Sequence, residues 1–370
     1  MSHVCFVSMT VYPLLHGDTR IREVGGAELQ QVQIARLLLR MGHQVSFVTL
    51  DHGQPDGELI QGCRVYKAYK PGAGLPGLRF LFPRWTGIWR ALQRARADIY
   101  YTRAAGFVPG MLALLRLRRP FRYVYAAAHD FDFSPDKVQI QFARDRWLFR
   151  LGLRHADAVI VQTGMQRDLL RANYGRDSVL IPNFLDADPL TLPEAARTRV
   201  LWVGKIRAIK RPLMFVALAR ALPHLSFTMI GPHFQDESSL YSEVMTAAKD
   251  LPNLDVLGFQ PLPEVEKHFD RASVFVSTSE MEGFPNVFLQ AMRRGVPIVS
   301  FVDPDGLIGN NPDLGSVVNG EEALHATVRQ LGQAPFPPAG PIKAHFARNF
   351  GPESVADKYR ALLQGLQAKA

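Results

Sequence analysis

A chain of 370 residues with 47% hydrophobic content can bury a sizeable core, and at this length two domains are expected rather than one. Its two cysteines, Cys5 and Cys63, stand far apart and outside any Cys-x-x-Cys pair, which excludes a disulfide framework and a zinc cage and suits a reducing cytoplasm. No basic run precedes the first apolar stretch and no segment nears the ~20 apolar residues of a membrane span, so a cytoplasmic chain, neither secreted nor bilayer-crossing, is expected.

From the N-terminus, "HVCFVSM" reads as a strand, "AELQQVQIARLLLRMG" as an amphipathic helix ended by Gly42, and "QVSFVTL" as a second strand, a βαβ unit. Gly25 and Gly26 stand just before this helix, whose start the pattern puts at Ala27. A glycine pair there lets the backbone approach a phosphate while the helix entrance supplies N–H groups, although the same pair also makes a plain turn. The GxGxxG spacing of a dinucleotide site is absent, which counts against a dehydrogenase.

The formal charge of +9 is unevenly spread. Between Pro76 and Arg154, fourteen Arg and one Lys stand against five Asp and no Glu, a net +10. Solvated arginine faces would account for this. The stretch "LRFLFPRWTGIWRALQRAR" instead interleaves Phe, Trp and Leu with Arg, which favours an anionic membrane surface and a peripheral location on it. A nucleic-acid partner is not expected, because a Lys, Asn and Gln texture and a reader motif are both missing.

"ADIYYTR", "FRYVYAAA", "ADAVIVQT" and "VLIPN" continue the strands. His129 follows the second of these, at a strand's carboxyl end, and is a candidate site residue. Asp130 and Asp132 form an Asp-x-Asp suited to a divalent cation, but the pattern recurs at Asp186 and Asp188 and at Asp303 and Asp305. It is unselective here, and no metal is assigned.

"FLDADPLTLPEAARTR" is rich in Pro and Asp without a strong period and reads as a linker. The alternation then restarts with "RVLWVGK", "SFTMIG", "LDVLGF", "ASVFVST" and "PIVSFV", short apolar runs of the kind buried in parallel sheets. The expectation is therefore α/β: doubly wound domains at 1–183 and 199–347 with a linker at 184–198. Ligands of such folds bind beyond the carboxyl ends of the strands, so a cleft between the domains is expected.

Two stretches of the second half fall at such ends. "VGKIRAIKRP" sets Lys205, Arg207, Lys210 and Arg211 after a strand and Gly204, a reasonable seat for a diphosphate; any one of them alone reads as a solvated loop cation, and position after the strand favours Lys205 and Lys210. "SEMEGFPNVFLQAMRRGVPIVS" puts Glu282 on the turn formed with Gly283, Phe284 and Pro285, opens a helix at Asn286, and places Gln290 further along it. The helix entrance can hold an anion without a metal, and a carboxylate and an amide suit the hydroxyls of a sugar and a ribose. The alternative makes Glu282 a charge that merely complements the helix dipole.

This last stretch resembles the signature of the family 4 retaining glycosyltransferases with the GT-B fold, in which a Glu is followed by seven residues and a second Glu. The resemblance extends to "GGAE", the first-domain His, "IPN", "VGKIRAIKRP" and the closing "FARNFGPESVADKYRALL". It implies two Rossmann-like domains, a C-terminal helix at 348–370 packing back toward the first of them, and transfer of a sugar from a nucleotide-sugar donor to a saccharide or lipid-linked acceptor, with no cofactor or metal. Carried over by residue, it implies catalytic roles for Glu282, His129 and Lys210. It also implies donor contacts from Gly25, Gly26, Gly204, Lys205, Lys210, Gly283, Phe284, Pro285, Asn286 and Gln290. Gln290 departs from the pattern, standing where the family has its second, ribose-binding Glu. A non-catalytic GT-B homologue that binds a glycan or a partner is the alternative; an epimerase would need an acid/base set not found here.

Overall fold

Apolar runs such as "HVCFV" and "ASVFVS" become strands because nearly every residue in them is buried, which suits a parallel sheet covered on both faces. The computed structural model describes residues 1–17, 25–136, 138, 140–186, 197–233, 237–333 and 336–368. It divides into two units, one of Met1–Asn183 with Val355–Ala370 and one of Phe184–Ser354.

The first unit holds β1 (His3–Val7), β2 (Gln44–Thr49), β3 (Glu58–Ile60), β4 (Cys63–Lys67), β5 (Ile99–Arg103), β6 (Arg122–Ala126), β7 (Ala158–Val161) and β8 (Val179–Leu180). They form one sheet in the order β3-β4-β2-β1-β5-β6-β7-β8, parallel throughout except for β3 on β4. The winding reverses between β1 and β5, which makes that pair the switch point of the sheet.

The β3–β4 hairpin escapes the sequence pattern. Its two-residue loop is Gln61–Gly62, both at positive φ (49° and 81°) as a primed turn demands, but without the Asn-Gly that announces one. In the same unit the helices Val108–Arg116 and Ala143–His155 meet at Gly110 and Gly152. A Cβ on Gly152 would lie 2.2 Å from the Pro109 carbonyl carbon, so only hydrogen fits at this crossing.

The second unit holds β9 (Arg199–Val203), β10 (Ser226–Ile230), β11 (Leu254–Val256), β12 (Ala272–Ser277), β13 (Ile298–Ser300) and β14 (Gly315–Val317). All are parallel, in the order β11-β10-β9-β12-β13-β14, with the switch point between β9 and β12. The sequence pattern does not mark β14, whose Gly-Ser-Val has no apolar run to show.

The boundaries differ in detail from those expected. Of the stretch read as a linker, residues 187–196 lie outside the described residues, while its ends are built into the second unit. Phe184 and Leu185 are buried, and Leu185 N donates to Phe350 O. Arg197, also buried, donates from its guanidinium to the carbonyls of Arg294 and Gly295. The final helix, Pro352–Ala368, joins the first unit from Val355 onward, burying Val355, Tyr359, Leu363 and Leu366 at helical spacing.

The arginine-rich stretch resolves into two textures. Trp85 and Trp89 stack on each other at 6.4 Å and pack against the first unit's core, whereas Leu75, Leu78, Leu81 and Phe82 remain 61–70% exposed. Among the described residues no helix is long and apolar enough to cross a membrane.

Candidate functional site

In the second unit the loops leaving β9 and β12 are joined by several hydrogen bonds. Gly204 N donates to Ile230 O, and Gly231 at the end of β10 lies so close that a Cβ there would sit 1.7 Å from Gly204 O. Beyond Gly204 the chain makes a short 3-10 turn over Ala208–Lys210 and passes through Arg211 in the left-handed region (φ 46°). Thr278 Oγ1 donates to Lys210 O at 2.6 Å and accepts from Trp202 Nε1 at 3.0 Å. Arg211 Nε donates to Thr278 O at 2.6 Å with its guanidinium 4.4 Å from the Phe301 ring centroid, and Glu280 N donates to Ile209 O.

On this frame Lys210 Nζ forms an ion pair with Glu282 Oε1, to which Ser279 Oγ also donates at 2.7 Å. The Glu282 side chain is 10% exposed and that of Lys210 25%, so the pair is reachable but mostly dry. The ammonium is thereby fixed at the carboxyl ends of the two strands that flank the switch point, where an α/β sheet binds its ligand.

The four cations read as one diphosphate seat divide in the structure. Arg207 pairs with Glu237 at 3.3 Å, and the same carboxylate takes the Ala208 N–H. Arg211 braces the β12 loop. Lys205 is exposed, and Lys210 faces Glu282. Arg207 and Arg211 therefore hold the loop in shape. Gly283, Phe284 and Pro285 are buried, with the Phe284 ring 5.2 Å from that of Phe350. The Phe284 side chain is thus core, and residues 283–285 of this turn can address a ligand only through backbone. Pro285 caps the helix Asn286–Arg294, whose entrance carries the positive end of the helix dipole.

Gln290 is 4% exposed, and its Nε2 donates to Glu266 Oε1 at 2.8 Å. Glu266 Oε2 pairs with Arg293 at 2.6 Å and Arg294 at 3.5 Å, and Arg294 Nε lies 3.2 Å from Asp270 Oδ1. Sequence reasoning found Gln290 and missed this network. Its one trace is the pair Arg293-Arg294 closing a helix that is otherwise largely buried. The network gives a physical reason for the amide: a Glu at 290 would put two carboxylates at hydrogen-bond distance. Gln290→Glu is expected to cost about 1–3 kcal/mol, the range for an unmatched buried polar group. Glu266→Gln in the same chain should recover part of it, as urea denaturation would report.

In the first unit the long helix between β1 and β2, Gly26–Arg40, starts one residue before the expected Ala27, with Gly25 as its extended N-cap. Gly25 N donates to Glu28 Oε2 at 3.0 Å, and Thr10 Oγ1 donates to Glu28 Oε1 at 2.6 Å. The Gly25 N–H read as open to a phosphate is thus taken by Glu28, a capping-box contact that any anion must displace. Residues 18–24 of this loop lie outside the described residues.

His129 follows β6 with extended backbone (φ −147°). Its Nδ1 accepts from Phe131 N at 3.3 Å, and its ring stacks on that of Phe131 at 4.2 Å. An accepting Nδ1 leaves the neutral ring's proton on Nε2. Asp132 is buried and accepts from Tyr125 Oη at 2.9 Å and Ala128 N at 2.7 Å; burial pushes its carboxyl up from 3.8 while these donors pull it back. Asp130 Oδ1 accepts from Gln166 Nε2 at 3.0 Å. Both carboxylates of this Asp-x-Asp fasten the turn that carries His129. Asp303 likewise caps its own loop through the N–H groups of Ile308 and Gly309, and Asp188 lies outside the described residues.

Comparison with known proteins agrees with this architecture. The profile of Glycosyltransferase Family 4 matches residues 24–189, and that of Glycosyl transferases group 1 matches residues 197–333. An uncharacterized glycosyltransferase of Haemophilus influenzae is 21% identical over 290 residues, 76% of this chain and 78% of that one. Sucrose-phosphate synthase from Thermosynechococcus elongatus matches over 100% of both chains with a TM-score of 0.79 and 20% identity. Anabaena HepE, solved in complex with UDP and glucose, matches over 99% of this chain and 100% of its own, with a TM-score of 0.73 and 16% identity. Matched in both halves and built from two Rossmann-like units, the chain belongs to glycosyltransferase family 4, with the GT-B fold.

Proposed function

We propose that the chain is a retaining, metal-independent glycosyltransferase that moves a sugar from a nucleoside-diphosphate donor to a saccharide or lipid-linked acceptor. The observation that carries this reading is the Lys210–Glu282 pair, built from the loops of the two strands that flank the second unit's switch point. UDP and glucose in the HepE structure agree with a donor of this kind.

In this reading Lys210, Lys205 and the helix entrance at Asn286 receive the diphosphate. The bond from the anomeric carbon to the β-phosphate oxygen breaks as the acceptor oxygen bonds to the same face of that carbon. The acceptor's proton passes to the departing phosphate oxygen, whose growing negative charge Lys210 stabilises. Glu282, held by Lys210 and Ser279, receives the donor sugar's hydroxyls rather than attacking carbon. His129 is assigned to a sugar hydroxyl, and Gln290 is left with its amide oxygen for the donor's ribose.

A panel of sugar nucleotides, read by thermal stabilisation and by slow hydrolysis, tests donor binding. Product from the preferred donor should keep the anomeric configuration, and turnover should persist in EDTA. Inversion would remove the front-side mechanism, and abolition by EDTA with rescue by Mn²⁺ would overturn the metal-free reading. The same reading seats the chain on an anionic bilayer through the stretch 76–154. Binding to phosphatidylglycerol vesicles should weaken as salt rises, whereas equal binding to neutral vesicles would remove the electrostatic part.

A further inference from the structure

Away from the Lys210–Glu282 site, the first unit contains a cavity of about 510 Å³ beyond the carboxyl ends of β2 and β4. Its ionic lining is four cations, Lys67, Lys70, Arg90 and Arg94, against two carboxylates, Asp51 and Asp56. The carboxylates are committed: Asp51 lies 3.7 Å from Lys67 Nζ, and Asp56 pairs with Arg94 at 2.8 Å. Lys70 and Arg90 are exposed and have no carboxylate partner among the described residues. The cavity therefore carries two uncompensated positive charges. Tyr69 adds a phenol that burial holds as a neutral donor, pushing it up from 10.0 against the opposing pull of Arg84.

One wall of this cavity is apolar and leads outward. Phe82 and Pro83 line it, and Phe82 is 63% exposed. Arg79 N donates to Leu75 O and Phe82 N to Leu78 O, so residues 75–81 coil into helical turns that end at Phe82, whose own backbone is extended (φ −132°, ψ 124°). Leu75, Leu78, Leu81 and Phe82 then recur at helical spacing, all 61–70% exposed. A monomeric surface rarely leaves four large apolar side chains together beside an anion-sized excess of charge without a use for both.

We propose that this cavity binds the phosphate or diphosphate end of an amphiphile whose hydrocarbon chain lies along Leu75, Leu78, Leu81 and Phe82. Lys70 and Arg90 neutralise the phosphate, and the apolar wall takes the first carbons of the chain. Identifying the amphiphile with the lipid-linked acceptor rests on the glycosyltransferase reading; the binding site itself does not.

Farnesyl diphosphate is a soluble probe, titrated against the whole chain by calorimetry beside inorganic diphosphate and farnesol. It should bind at least about tenfold more tightly than either, since each half of the ligand contributes. Lys70→Ala with Arg90→Ala should weaken farnesyl diphosphate about tenfold or more. Leu81→Ser with Phe82→Ser should weaken farnesyl diphosphate while leaving inorganic diphosphate unchanged. Unaltered melting temperature and unaltered stabilisation by UDP in both variants would show the two units intact. Equal affinity for inorganic and farnesyl diphosphate would overturn the proposal in favour of a soluble anion, and affinity unmoved by either double variant would overturn it outright. Farnesyl diphosphate binding without a response to any sugar nucleotide would sink the transferase reading and leave this site standing.

Discussion

Lys210→Ala is expected to lower turnover by a factor of roughly a hundred or more, with a smaller change in donor KM. The side chain is fixed before substrate arrives: its backbone carbonyl is tied to Thr278, its ammonium to Glu282, and Glu282 to Ser279. Charge that grows on a leaving diphosphate meets a group that need not reorganise, which is the condition under which such a contact acts mainly on the transition state. The substitution also removes the counter-ion of Glu282, so the two residues act as a unit. Glu282→Gln, which keeps the hydrogen bond from Ser279, should itself cost mainly turnover. The double variant should lose much less than the product of the two single losses. Steady-state kinetics with the preferred donor decides this, and an unchanged rate in Lys210→Ala would take that residue out of the site.

Arg294→Met should be the most damaging single change to the second unit, at about 3–5 kcal/mol. Arg294 is 1% exposed beside Asp270, also 1% exposed, and its guanidinium reaches Glu266 as well. Methionine fills much of the volume but takes away the guanidinium that lies 3.2 Å from the buried Asp270 carboxylate. Asp270→Leu added to Arg294→Met should return a large part of the loss, because removing both charges also removes their desolvation. Since the chain has two units, denaturation is best followed by near-UV signals able to resolve two steps, and the loss should fall on one of them.

Much of the framework was legible from local pattern. The runs at β1, β2, β5, β6 and β7, and those from β9 to β13, are short, apolar and bounded by breakers, and each is a parallel strand. The β3–β4 hairpin was not, because Gln61 at positive φ is a choice the turn imposes on a residue that does not advertise it. At the site, residue types at strand ends pointed to Glu282, Lys210 and His129. Spacing could not pair Lys210 with Glu282, since 72 positions separate them and the β9–β12 adjacency that joins them is a property of the whole sheet. Glu266 was invisible for the same reason, lying on a helix that approaches Gln290 only after folding. The partner of Arg207, Glu237, was out of sight in the same way, 30 positions away.

The division of the chain bears on how it is made. The second unit is one continuous segment, whereas the first is interrupted by it and takes back the chain at Val355. A ribosome therefore exposes the whole second unit before the helix that brings Val355, Tyr359, Leu363 and Leu366 to the first has emerged. The surface of the first unit that buries these four apolar side chains waits for them. During that interval the nascent first unit presents an open apolar edge, the kind of surface chaperones hold. A nonsense mutation shortly before Val355 would leave that edge uncovered permanently, giving a product destined for proteolysis although every proposed catalytic residue had been translated.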